Sequence, residues 1–171
     1  MSDIVVAQAV GLFSVVLALC SFFQKNDVRL KSVMLVFNLN HALHFYLLGA
    51  ATSALCCLFS AARTATSIKV SSKCVAFAFM TATLVMGLCM SEQWTDIIAV
   101  AGACCGTYAL FCLSGIKMRM CLFAGSCLWL TNNIIVGSVG GVMLETTVIA
   151  MNLSTIYRLY REQIKPELAL A

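Results

Sequence analysis

Seven apolar runs, each about as long as a bilayer is thick when helical, follow one another with only short joints between them. They are Ile4 to Phe23, Leu30 to Leu48, Ala50 to Ile68, Cys74 to Met90, Trp94 to Leu113, Cys121 to Val136 and Gly141 to Tyr157. Seven spans of roughly 20 residues consume about 140 positions of a 171-residue chain, which leaves no room for a soluble domain. Helices are the expected form, because an unpaired backbone group in hydrocarbon costs several kcal/mol and these runs lack the alternation of a barrel strand. The joints at Gly49 and at Gly137 to Gly140 carry no charge. Fused across either joint, the apolar stretch would be roughly 40 residues, about twice what a bilayer needs, so each joint is read as a turn.

Composition agrees with that reading. The chain is 61% hydrophobic, with eleven basic and seven acidic side chains, whereas a soluble domain carries about 25% charge. A disordered chain is poorer still in apolar residues. The charges also sort by side. With the N-terminus outside, Lys25, Arg29 and Lys31 fall in the first loop, Arg63, Lys69 and Lys73 around the third, Lys117 and Arg119 in the fifth, and Arg158, Arg161 and Lys165 after the last span, so all are inside. Asp3, Glu92 and Asp96 fall outside, as the positive-inside rule requires of short loops. The formal charge of +4 is thus a topology signal, and no nucleic-acid partner is expected. The first run follows Asp3 without a basic segment before it, so it is expected to stay as the first span instead of being cleaved as a secretory leader.

The chain also matches itself. An offset of 91 lays Gly11 on Gly102, Ala18 on Ala109 and Leu19 on Leu110; beyond the first loop an offset of 88 lays Arg29 on Lys117, Lys31 on Arg119, Gly49 on Gly137, Ala62 on Ala150, Ile68 on Ile156 and Lys73 on Arg161. The expected fold is therefore an all-α polytopic bundle with N-out, C-in topology. It has a first three-helix repeat over 4–72, a linker helix over 73–91, a second repeat over 94–161 and a short cytoplasmic tail over 162–171. Parallel repeats related by an axis along the membrane normal are a transporter plan, with the solute site expected between the halves.

Polar residues inside the spans are the candidates for function. On the second span Asn40, His41 and His44 fall within roughly a 100° arc, with Asn38 about 60° beyond. The sixth span carries Ser126, Trp129, Asn132 and Asn133 on a comparable arc, and the offset lays His44 on Asn132. The seventh carries Glu145 and Asn152, about 20° apart. Such side chains are costly toward lipid and should face the interior or water, either lining a solute path or holding helices together. Glu145 invites three functional readings, as proton relay, cation partner or solute acceptor, against the plainer one of an acid favoured near a helix N-terminus. Arg63, near the inner end of the third span, is read either as lining the inner gate or as snorkelling to the headgroups, with snorkelling the favoured reading.

No enzyme is expected. The ten cysteines all lie in or beside apolar runs, with no CxxC pair and no zinc spacing, and so are read as small packing residues. There is no P-loop or nucleophile elbow. His41 and His44, the only histidines, lie on one helix and cannot be the two opposite axial ligands of a haem. No cofactor is expected, and the partners are the lipid bilayer and a small polar solute. Gly102, Ala103 and Gly106 offer close helix contacts for a possible homo-oligomer.

Ala7, Gln8 and Gly11, the stretch from His44 to Gly49, Arg63-Thr64, Trp129, Asn133, the stretch from Gly137 to Gly141, Glu145, Met151-Asn152 and Arg158 carry a resemblance to the YgjV-like bacterial inner-membrane protein family. It runs from about Ala7 to Arg161 and implies residence in the bacterial inner membrane, with no settled activity. More distantly, the three-one-three plan resembles the SWEET and PQ-loop transporters, which implies a small-solute carrier. The chain departs from that group in having its single proline, Pro166, in the tail, so any hinge is expected at Gly137, Gly140 and Gly141 instead. The reading that results is a transporter or facilitator of a small polar solute. Its alternative is a receptor or partner-subunit module that transports nothing.

Overall fold

The computed structural model describes residues 2–49, 51–90, 96–136 and 139–168. Seven α-helices follow in order: α1 (Ser2–Phe23), α2 (Asp27–Leu47), α3 (Ala51–Lys69), α4 (Lys73–Met90), α5 (Asp96–Cys112), α6 (Gly115–Val136) and α7 (Val139–Leu168). The described residues contain no strand. Each expected apolar run thus has its helix, and the joints have local causes. The Asn26 side chain accepts a hydrogen bond from the Arg29 amide at 3.0 Å and caps α2, satisfying one of the amides that a helix start leaves open. Gly49 ends the same helix with φ of 76°, the left-handed conformation that glycine adopts without a Cβ clash. The Leu48 and Gly49 amides there donate back to the His44 and Tyr46 carbonyls, at 3.2 and 3.0 Å.

Two boundaries differ from expectation. α6 begins at Gly115, itself left-handed at φ 57°, so Lys117 and Arg119 stand in its opening turns and not in a loop. α7 continues through 162–168, past the expected end at Tyr157. Gly140 and Gly141 lie within its opening residues, and Gly137 lies outside the described residues.

The chain divides into two compact units, Met1–Lys69 and Val70–Ala171. In the first, α2 packs against both α1 and α3; in the second, α6 packs against α5 and α7, and α4 packs on α5. The interior of the first unit is built mostly from small and polar residues around Leu30, while that of the second also encloses Leu110, Phe111, Met118 and Leu122. Ala7, Ala18, Ala42, Ala54 and Ala61 are buried in the first unit with Ser14, Ser21, Thr64 and Ser67, while Leu12 and Leu55 are 71% and 66% exposed. Small interior residues with large apolar ones outward suit a bundle surrounded by lipid, where burying leucine against another helix gains little over leaving it in acyl chains. Taken alone, α1 is long and apolar enough over Val5–Phe23 to cross a membrane, and Lys73–Cys89 and Ile97–Cys112 are apolar but shorter.

Candidate functional site

In the first unit the polar arc of α2 divides between two neighbours. Asn40 turns to α1, where its amide donates to the Ser14 hydroxyl at 2.8 Å and to the Val10 carbonyl at 2.9 Å. His44, one turn on, places Nδ1 2.7 Å from the Ala7 carbonyl. Its ring occupies the space that a Cβ on Gly11 would need, 2.7 Å from Cε1, so glycine is what lets the imidazole reach α1. Asn38 turns the other way, to α3, and donates to the buried Thr64 hydroxyl at 3.4 Å. Nearer the start of α2, Lys31 donates to the Ser67 carbonyl at 3.0 Å. His41 points to neither helix through a hydrogen bond. It stacks on Phe37 at 5.2 Å and meets the edge of Phe45 at 4.7 Å, with Nδ1 buried and unpartnered. Three of the four α2 candidates therefore knit helices together.

In the second unit Asn152 is 0% exposed and donates from α7 to the Arg119 carbonyl on α6 at 2.9 Å, leaving its own oxygen buried without a hydrogen-bond partner. Arg119 is itself 0% exposed. Two turns further along the pair, the Ser126 hydroxyl lies beside the Glu145 carboxylate. Trp129 lies a turn beyond Ser126 and is 37% exposed, with its Cδ1 and Nε1 edge resting on Gly102 of α5. Asn132 is half-buried with its oxygen unpartnered, and Asn133 is half-buried on the same side of α6 as Ser126.

Sequence patterning missed Arg119. Placed in a loop it passes for a topology charge, and nothing in its local spacing distinguishes that from a core position. One signal was present: under the 88-residue offset it falls on Lys31, beside a helix already rich in polar residues. The described residues contain no cluster of three or more metal-ligating side chains, and the ten cysteines are free thiols.

The family described as "Bacterial inner membrane protein" (Imp-YgjV) matches residues 5–163. "Inner membrane protein YgjV" of Escherichia coli (strain K12) is 31% identical over 157 residues, covering 92% of this chain and 86% of that protein. No solved structure matches the chain. The match takes in all of the helices' polar residues described above, and a bundle that exposes many large apolar side chains belongs in the bilayer to which that relative's name assigns it. On both comparisons, this chain is a member of the YgjV family of bacterial inner membrane proteins.

Proposed function

We propose that this integral inner membrane protein is a facilitator of a small polar solute, built as two parallel three-helix repeats with α4 between them in sequence, the N-terminus outside and the C-terminus inside. The observation that carries the reading is Glu145. It is a carboxylate in the second turn of a membrane-embedded helix, beside a serine hydroxyl, with no basic side chain paired to it among the described residues. An ionisable group kept inside a span with only a serine hydroxyl for a neighbour is an expense that a solute path explains. Trp129 and Asn133, in the same unit, add polar or aromatic surface that no interhelical hydrogen bond consumes. No catalytic chemistry is assigned to any of them.

Burial supports the repeat. The offset that lays Lys31 on Arg119 also lays buried Leu30 on buried Met118, Asn38 on Ser126, Thr64 on Asn152 and Ser67 on Thr155. In both units a polar contact then joins the middle helix to the last one at corresponding levels. Orientation rests on the positive-inside rule. A tag inserted at Gly49 is expected to react with an impermeant reagent from the periplasmic side, and a C-terminal tag is expected to stay protected; a Gly49 tag reached only from the cytosol overturns the topology.

The bonds of Asn38, Asn40, His44 and Asn152 favour a second reading, a receptor or partner subunit, because residues spent on holding helices together are unavailable to a solute. Reconstituted vesicles separate the two. Uptake above empty liposomes is expected for at least one class among sugars, nucleosides, amino acids and vitamins. Silence across that panel, with amines and quaternary ammonium compounds added to it, returns the protein to the module reading.

A further inference from the structure

The register of α6 against α7 makes the Glu145 region more specific than a generic polar lining. Ser126 meets Glu145, and Arg119 meets Asn152: seven residues back on α6 corresponds to seven forward on α7, so the helices run antiparallel in constant register. Trp129 therefore stands level with Val142, one turn from Glu145 toward the start of α7. A helical side chain tilts toward the N-terminus of its own helix. In an antiparallel pair that tilt brings Trp129 down toward the level of Glu145 and Glu145 up toward the level of Trp129, so the carboxylate and the indole converge.

Trp129 is held there by α5. Its Cδ1 and Nε1 edge lies where a Cβ on Gly102 would sit, at 2.9 and 3.1 Å, while more than a third of the residue stays exposed. An indole fixed by one edge beside a half-buried carboxylate is a recognition surface for positive charge. The ring face attracts a cation through its quadrupole, and the carboxylate supplies the countercharge. Ser126, the polar neighbour of the carboxylate on α6, adds no positive charge of its own, so the countercharge for an ionised Glu145 is left to come from outside the chain.

We propose that Glu145, Ser126 and Trp129 form a binding site for an organic ammonium group, so that the solute handled is an amine or a quaternary ammonium compound and not a sugar or another neutral polyol. The assignment of that ligand as a transported solute rests on the facilitator reading; the site itself does not.

The chain has two tryptophans, so Trp94→Phe leaves Trp129 as the sole indole and its fluorescence as a local readout. In purified protein carrying that change, n-butylammonium and choline are expected to shift the Trp129 emission saturably, whereas n-butanol and sodium chloride are not. Glu145→Gln is expected to weaken n-butylammonium binding by about ten- to a hundredfold, the loss of a charged hydrogen-bond partner. Glu145→Asp should keep the preference for ammonium over alcohol. Glu162→Gln, an exposed acid farther along α7, should bind as the parent does. Should Glu145→Gln fail to fold, Trp129→Leu serves instead, with binding measured by equilibrium dialysis and an expected loss of about threefold or more.

An equal response to n-butanol and n-butylammonium, saturation by sodium alone, or unchanged affinity in Glu145→Gln overturns the site. Uptake of the same probes into proteoliposomes is scored separately. Saturable binding without uptake keeps the site and sinks the facilitator reading; uptake of neutral solutes with no ammonium binding keeps the facilitator and sinks the site.

Discussion

Arg119→Ala is expected to destabilise the protein by about 3 kcal/mol, within the range seen for truncating large buried side chains. For a chain of this length that corresponds to a fall in Tm of roughly 6 to 12 °C, read by thermal unfolding of the purified protein in detergent. The guanidinium is 0% exposed although it stands in the opening turns of α6. Its long stem and planar head fill space inside the second unit that alanine leaves empty. The bond from Asn152 goes to the Arg119 backbone carbonyl and survives the substitution, so the loss reports the side chain itself.

Arg119→Met separates volume from charge. Methionine restores most of the packing, and replacing a buried charge with an apolar group of similar size is frequently neutral, so Met is expected to recover more than half of the loss. A methionine variant as unstable as the alanine one would show that charge and not packing is what counts at this position. Lys31, its counterpart under the offset, is half-buried and not fully enclosed, and it donates to the Ser67 carbonyl. Lys31→Ala is expected to cost less than Arg119→Ala, on the order of 1 kcal/mol. An unchanged Tm in Arg119→Ala would contradict the buried placement outright.

A methyl group at the crossing of α5 and α6 is expected to cost about 1 to 3 kcal/mol, the usual scale for overpacking a close contact. A Cβ on Gly102 falls 3.1 Å from the Gly125 carbonyl oxygen, and a Cβ on Gly125 falls 3.2 Å from the Gly102 carbonyl oxygen. Both obstacles are backbone, so the helices themselves must separate to make room. Small residues that let backbones touch are how helices associate where the hydrophobic effect is absent. Gly102→Ala and Gly125→Ala should both lower Tm. Only Gly102→Ala should also disturb the Trp129 emission, because its new methyl would lie 2.9 Å from the indole Cδ1. Gly106 provides the control, since nothing lies within 4 Å of a Cβ placed there. Gly106→Ala should leave stability unchanged or raise it slightly through helix propensity. Of the small residues that suggest a face for self-association, Gly102 is therefore already engaged inside the bundle, and the Gly106 backbone borders the same crossing while its Cβ position stays open.

Comparing α2 with α6 shows why some of this was readable from residues and some was not. For α2, an apolar run, the asparagine before it and the glycine after it each act over a turn or less, and they place the helix between Asp27 and Leu47 with its cap at Asn26 and its stop at Gly49. The spacing of Asn40 and His44 likewise puts them on one face. It does not say that this face meets α1 while Asn38, two residues earlier, meets α3. A helix gives each residue a direction about its own axis, and which neighbour lies in that direction depends on how the helices pack.

The start of α6 makes the same point with a charge. Lys117 and Arg119 both sit at the end of an apolar run, and both satisfy a positive-inside count; yet Lys117 is exposed and Arg119 is fully enclosed. Local chemistry, acting within a few residues, determined that the chain is a series of apolar helices, that α2 is bounded by Asn26 and Gly49, and that it is a member of its membrane family. Tertiary packing alone decided that asparagines and His44 bridge helices, that Arg119 is core, and that the Trp129 edge rests on Gly102. Those outcomes depend on interhelical register, which arises from surfaces distant in sequence meeting at fixed height and rotation, and no single stretch of residues encodes it.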